Sequence, residues 1–301
     1  MSTFTLVKRS ALTAGVASLI SLLSLLSASS SRAATISNGN FTTGDYTGWS
    51  TIGDASIQKS SAFGSVPPEG QQFEALVTTA TTTPQLSGFD SPSFSGINPV
   101  STTDLETFLG LPTGDINTPG SGSLDLLSNS DVNFSKRKVI DGSAFKQTIT
   151  ANAGDRISFE WNFLTNELVP EPSSTDYAFF SVVPTNSSSS PILLANAEPS
   201  DPSAFSPSGT PLSVSPGQTS ETGFHTQSYK IPTTGTYTLG FGVAQVNPVT
   251  PFADDNTGNS AVLIDNVSLT SVPEPNSALG ILVFGIFGVG SLLKRKQQKS
   301  S

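Results

Sequence analysis

From Ile157 onward the chain alternates strictly: Ile157, Phe159, Trp161 and Phe163 hold one parity, Ser158, Glu160 and Asn162 the other. A period of two is that of a strand with one buried face, so this segment is committed to a sheet. Tyr237, Leu239, Phe241 and Val243 repeat the pattern against Thr236, Thr238, Gly240 and Gly242. Further strands are expected at residues 36–41, 48–52, 73–78, 144–150, 177–183, 192–195, 226–231 and 261–269. Turn chemistry separates them, as in Ala153-Gly154-Asp155 and Thr233-Thr234-Gly235. Many short strands with almost no helical period predict an all-β fold, a single jelly-roll-like β-sandwich with long loops. One short helix is expected at 104–109, opened by a capping box of Thr103 and Glu106 and ended by Gly110 and Pro112. It sits in a long insertion, 91–135, and a second irregular stretch, 196–221, carries five prolines.

The two ends differ from this middle. Lys8 and Arg9 precede an apolar run from Ala11 to Ala28, and Ser31-Arg32-Ala33 places small residues where a signal peptidase cuts. Residues 1–33 therefore read as a signal peptide cleaved after Ala33, with an uncleaved N-terminal helix as the alternative. At the other end stand Val272-Pro273-Glu274-Pro275, an uncharged apolar run, and the basic cluster Lys294-Arg295-Lys296. The prolines keep the chain extended at 273–275. Residues 277–293 would rise ~25 Å as a helix, near the short end of a membrane span. The basic cluster places its own side in the cytoplasm and everything before Val272 outside.

A Pro-Glu-Pro element, a short hydrophobic helix and a basic tail, in that order at the C-terminus, resemble the PEP-CTERM sorting signal recognised by exosortases. The resemblance covers residues 272–299. It implies processing by an exosortase near Pro273-Glu274-Pro275 and delivery of the ectodomain to the cell surface or extracellular matrix, with the membrane helix as a transient or stable anchor. An ordinary tail anchor that is never cut is the competing reading. The expected organisation is thus 1–33 signal peptide, 34–271 β-sandwich ectodomain, 272–299 sorting signal.

Between the ends lie about 240 residues, enough for one sandwich with insertions. Seven basic residues (Lys59, Lys136, Arg137, Lys138, Lys146, Arg156 and Lys230) face 22 acids there, a net charge of −15. That sign argues against nucleic acid as a partner. The absence of cysteine removes disulfides, thiolate metal sites and thiol nucleophiles. With His225 the only histidine, a multi-imidazole metal site is closed to a single chain, and a Ser-His-Asp device would rest on that residue alone.

Asn38-Gly39-Asn40-Phe41, then Gly48-Trp49, and at the far end Leu263-Ile264-Asp265-Asn266-Val267-Ser268-Leu269 are similar to the anchors of carbohydrate-binding-module jelly rolls, the galactose-binding-like fold. That resemblance implies adjacent first and last strands, a structural calcium where they meet, with Asn38, Asn40 and Asp265 as its candidate ligands, and polysaccharide as a partner. Taken without the family, Asp265 shares parity with Leu263, Val267 and Leu269. A carboxylate on such a face must be paired, hydrogen-bonded or ligated. Three arrangements stay open: hydrogen bonds from backbone N–H groups of 38–41, an all-oxygen calcium site, or a bulge at Asp265-Asn266 that turns the carboxylate outward.

The stretch from Gly142 through Trp161-Asn162-Phe163-Leu164-Thr165-Asn166-Glu167 to Asp176-Tyr177-Ala178-Phe179-Phe180 resembles ectodomains found on PEP-CTERM proteins. Glu167 and Asp176 bracket a loop and are expected to be solvated. Trp49 and Trp161 are expected in the core, leaving Tyr46, Tyr177 and Tyr229 as candidate sugar-stacking aromatics. The functional expectation is an exported, non-catalytic surface or matrix protein associated with exopolysaccharide. A lectin-like module with structural calcium is the alternative, and a polysaccharide hydrolase using a pair among Glu160, Glu167 and Asp176 the third reading.

Overall fold

The computed structural model describes residues 35–59, 72–81, 94–117, 137–166, 176–197, 206–207, 220–248 and 259–272. The chain divides into a unit of Ala34–Ser271 and a second of Met1–Ala33 with Val272–Ser301. The expected signal peptide with Ala33, Pro273 to Pro275, the helix at 277–293 and Lys294 to Lys296 lie outside the described residues. Among the described residues no helix is long and apolar enough to cross a membrane.

Two antiparallel sheets make the fold. In the first, β1 (Ser50–Ile52), β5 (Arg137–Ala151), β12 (Gly235–Pro248), β7 (Tyr177–Pro184) and β8 (Ile192–Asn196) follow in that order, and β4 (Val100–Ser101) also pairs with β5. In the second the order is β2 (Asp54–Lys59), β3 (Phe73–Thr78), β13 (Ser260–Thr270), β6 (Arg156–Thr165), β10 (Ser220–Glu221) and β9 (Ser206–Pro207), with β11 (His225–Lys230) also on β6. The alternating residues decide which faces meet. Phe145 and Ile149 of β5, Phe180 and Val182 of β7 and Tyr237 to Val243 of β12 pack with Ala75 and Val77 of β3, Ile157 to Phe163 of β6 and Val262 and Ile264 of β13 in one core. The result is a β-sandwich, closed by apolar burial without a disulfide.

The outer face of the first sheet is covered by helix α1 (Thr102–Leu109). Leu105 and Leu109 pack there with Ala144, Phe179 and Ala244. Gly240 makes the close approach possible, since a Cβ at that position would stand 2.4 Å from Leu109 Cδ2. The helix begins two residues earlier than the capping-box reading places it. Ser101 is the N-cap, accepting from the Asp104 N–H, while buried Glu106 accepts the Gly114 and Ile116 N–H groups at 2.9 and 3.1 Å. Its C-cap is Gly110, in the left-handed region at φ 74°. Lys146 of β5 donates from Nζ to the Phe108 carbonyl and lies 4.3 Å over the Phe108 ring, a cation at the negative helix end.

Residues 36–41, expected as a strand, form turns instead. Phe41 donates to the Asn38 carbonyl and Gly44 to the Phe41 carbonyl, and Asn38 and Phe41 both take positive φ. The turn drives the Phe41 ring into the core, 5.8 Å from both Trp49 and Phe145. This segment still meets the last strand, through Val267 N–H donating to the Gly39 carbonyl at 2.8 Å. A Cβ on residue 39 would lie 1.9 Å from the Val267 carbonyl oxygen. Gly39→Ala is therefore expected to separate the two ends of the sandwich and cost about 1–3 kcal/mol, read as a lower urea midpoint at unchanged m-value.

Candidate functional site

The last strand breaks register where it passes β6. Asp265 pairs with Glu160 and Ser268 with Ser158, so β13 carries one extra residue, and Asn266 takes φ 52° within the break. A bulge of this kind re-aims side chains on either side of it. Before the break Val262 and Ile264 face the core; after it Val267 does. Asp265 is left on the outer face with Ala261 and Leu263, which pack with Leu76 and Leu164.

Around the bulge opens a groove of about 580 Å³. Asn38 and Asn40 from the first turn, Ser158 and Glu160 from β6, Thr226 from β11 and Asn266 from the bulge line it. The polar part of the lining is amide, hydroxyl and carboxylate, beside Ile36, Phe159 and Val267, with no lysine or arginine. Asn266 Nδ2 donates to Glu160 Oε2 at 2.9 Å, fixing the carboxylate against the bulge. Asn38 is held by its own turn, accepting weakly from Thr43 N–H and donating from Nδ2 to the Asp45 carbonyl at 2.9 Å. Asn40 Oδ1 accepts from the Thr42 hydroxyl.

Asp265 is not part of that lining. Its Oδ1 accepts the N–H of its neighbour Asn266 at 2.7 Å, rather than N–H groups of residues 38–41, and its Oδ2 is buried without a hydrogen-bond partner. The bulge is present, yet it does not expose the carboxylate, which is fully buried. Asn38 and Asn40 thus line the groove, whereas Asp265 does not. Among the described residues no three acidic or histidine side chains converge as a ready metal cage.

Behind the groove lies an acidic floor that the sequence reading missed. Glu74 of β3 is fully buried and neither of its carboxyl oxygens has a hydrogen-bond partner. Burial, then the charges of Asp265 and Glu221, push its carboxyl up to about 9. Asp265 is pushed up to about 7 by burial, offset by the Asn266 N–H and reinforced by Glu160. Glu221 of β10 accepts from Asn162 Nδ2 at 2.6 Å. The signal for Glu74 was Leu76, two residues on, which shows that the second face of this strand is buried too.

The remaining candidates separate cleanly. Trp49 and Trp161 are core residues, as expected. Exposed His225 pairs with Trp161 across β11 and β6 and stacks on its indole at 5.0 Å. Tyr177 is buried, donating to the Ile116 carbonyl, so it is no sugar platform. Tyr46 donates to the Ser56 and Leu76 carbonyls, and partly buried Tyr229 packs on the core. Asp176 is fully buried rather than solvated, accepting from Val246 N–H and the Thr79 hydroxyl. Glu167 lies outside the described residues. Asp141, unanticipated, is pushed up to about 7 by burial and by Asp176.

No protein-family model matches the chain, and no curated protein matches it. Among solved structures it is similar to the enzymatically active domain of bacteriophage CBA120 tailspike protein 4, at 10% identity over 79% of this chain, with a TM-score of 0.32. It spans only 21% of that tailspike chain. It is also similar to the module TmCBM61 in complex with beta-1,4-galactotriose, at 9% identity over 78% of this chain and 96% of that one, with a TM-score of 0.31. At these TM-scores neither likeness assigns a ligand, an activity or a family to this chain.

Glu74 and Asp265 fix the sign of the pH response. The unfolded chain ionises Glu74 near the ordinary carboxyl value of 4.5, whereas the fold keeps the proton to about 9. The unfolded state therefore binds fewer protons across that interval, and stability falls as pH rises. In chelator, stability is expected to decline from pH 5 toward pH 9, by at most about 1.4 kcal/mol per pH unit for Glu74 across the range and for Asp265 only up to about pH 7, read as a falling melting temperature. Glu74→Gln should flatten the decline, and a melting profile that rises over this range would contradict the assignment.

Proposed function

We propose that the chain is an exported surface or extracellular-matrix protein whose β-sandwich binds a saccharide and catalyses no reaction. The observation that carries the binding assignment is the groove at the bulge. Its amides, hydroxyls and single carboxylate are the groups that exchange hydrogen bonds with sugar hydroxyls. The destination rests on the sequence. A signal peptide ending at Ala33 hands the chain to signal peptidase, and Val272 to Pro275, the apolar run and Lys294 to Lys296 hand it to an exosortase. Val272 is exposed where β13 ends, which suits a site that a processing enzyme must reach. A jelly-roll ancestry shared with carbohydrate-binding modules belongs to the same reading, and exopolysaccharide is the partner it implies.

Two measurements test it. Intact mass and C-terminal peptide mapping of protein from the matrix should give a chain beginning near Ala34 and ending between Val272 and Pro275. Retention of Lys294 to Ser301 in every fraction would end the exosortase assignment. On a glycan array the protein should retain specific oligosaccharides, with Thr226→Lys and Asn40→Trp, which fill the groove, losing at least tenfold in signal. A blank array removes the saccharide assignment and leaves a matrix protein without a discrete sugar site.

A further inference from the structure

Three buried carboxyl oxygens on the outer face of the second sheet lack any hydrogen-bond partner: both of Glu74 and Oδ2 of Asp265. Strand pairing puts their owners side by side. Ile264 of β13 pairs with Ala75 of β3, so the next residues along, Asp265 and Glu74, are cross-strand neighbours on the outer face. Glu160 stands opposite Asp265 on the other flank. Glu221 adds a further negative group within electrostatic reach of Glu74. The residues that pair outward from this row are Gln58 opposite Glu74 on β2 and Thr226 opposite Glu160 on β11. The row therefore contains no cationic side chain.

A proton solves only half of this problem. It removes a charge, yet each carboxylic acid still presents a hydroxyl and a carbonyl with nothing to bond, and bare buried polar groups are costly. A proton shared between Glu74 and Asp265 would join at most two of the three orphaned oxygens and leave the third without a partner. A metal ion between them would cancel the repulsion and take up the orphaned oxygens at once. All-oxygen donors select a hard divalent cation over zinc or copper.

We propose that Glu74 and Asp265 together bind one hard divalent cation of the calcium or magnesium class on the outer face of the second sheet. Glu160 and Glu221 strengthen the site through charge without being required as ligands, and water completes the coordination, as is usual where only two carboxylates contribute. The site differs from the calcium set at the chain's ends, because Glu74 replaces Asn38 and Asn40. It stands whether or not the groove binds a saccharide.

The test is Mn²⁺ binding to the chelator-stripped full chain at pH 8, followed by electron paramagnetic resonance, with melting curves in parallel. Wild type should bind Mn²⁺ at one site, release it to excess Ca²⁺ or Mg²⁺, and melt several degrees higher with the ion. Glu74→Gln should lose at least tenfold in Mn²⁺ affinity while melting close to metal-free wild type, whose Glu74 still keeps its proton at that pH; Asn40→Ala should bind as wild type does. Glu74→Asp, which keeps the charge and shortens the reach, provides a second variant with an intermediate loss. Absence of Mn²⁺ binding by wild type overturns the proposal regardless of how the variants fold, as does undiminished binding by Glu74→Gln. Loss of binding in Asn40→Ala with retention in Glu74→Gln would move the ion to the chain's ends.

Discussion

Four phenylalanines hold the two sheets at their working distance. Phe145 of β5 stacks on Phe241 of β12 with centroids 5.2 Å apart, and Phe241 meets Phe159 of β6, in the opposite sheet, edge-on at 4.8 Å. Phe159 in turn meets Phe180 of β7 at 5.0 Å. Each ring lies on the core parity of its strand, and each buries an area that no other residue type in this chain supplies so often. With no cysteine to cross-link the layers, this inter-sheet packing fixes which faces are inside. What happens on the outer faces is then decided separately on each side.

On the first sheet the outer face is finished conventionally. Small residues on β5 and β12 admit α1, whose Leu105 and Leu109 complete a second apolar layer. On the second sheet Leu76, Leu164, Ala261 and Leu263 form only a small apolar patch. Beside it come Glu74, Asn162, Asp265, Glu160 and Glu221, all buried. Such a face costs stability in exchange for chemistry, which is the pattern expected where a protein holds a ligand or an ion rather than where it merely folds.

The alternation at Ile157 and Tyr237 located β6 and β12 because a period of two is unambiguous over seven or more residues. The same parity placed Trp161 in the core and left Gly240 and Gly242 on the reverse side. It did not say why glycine stood there, because the reasons are distant in sequence: Leu109 of the helix against Gly240 and the Phe179 ring against Gly242. Residues 36–41 looked like a strand by composition, but Asn38 and Phe41 accept positive φ and the segment curls to bury an aromatic ring. Strand β2 went unseen since Ala55 and Ile57 are its only apolar residues. Asp176 reads as a solvated loop end and Tyr177, at the start of a strand, as a candidate sugar-stacking aromatic; only tertiary contacts with Ile116, Thr79 and Val246 reveal that both are interior. Parity also marked Asp265 as anomalous; its partner Glu74 lies 191 positions away in sequence, and no local pattern connects them.

The bulge at Asn266 links these separate facts. Without the extra residue, Asp265 and Val267 would share a face, and either the carboxylate would enter the aromatic core or Val267 would leave it. With it, Val267 fills the core and donates to Gly39, tying the first turn to the last strand. Asn266 meanwhile turns its amide onto Glu160 at the groove wall. Asp265 stays on the outer face, where its N–H contact with Asn266 satisfies one oxygen and its other faces the charge of its neighbours. One inserted residue in left-handed conformation thereby closes the sandwich, shapes the groove and sets the acidic floor behind it. Any ligand in the groove and any ion on the floor would share Glu160 as a common boundary, so occupancy of one is expected to alter the electrostatic cost of the other.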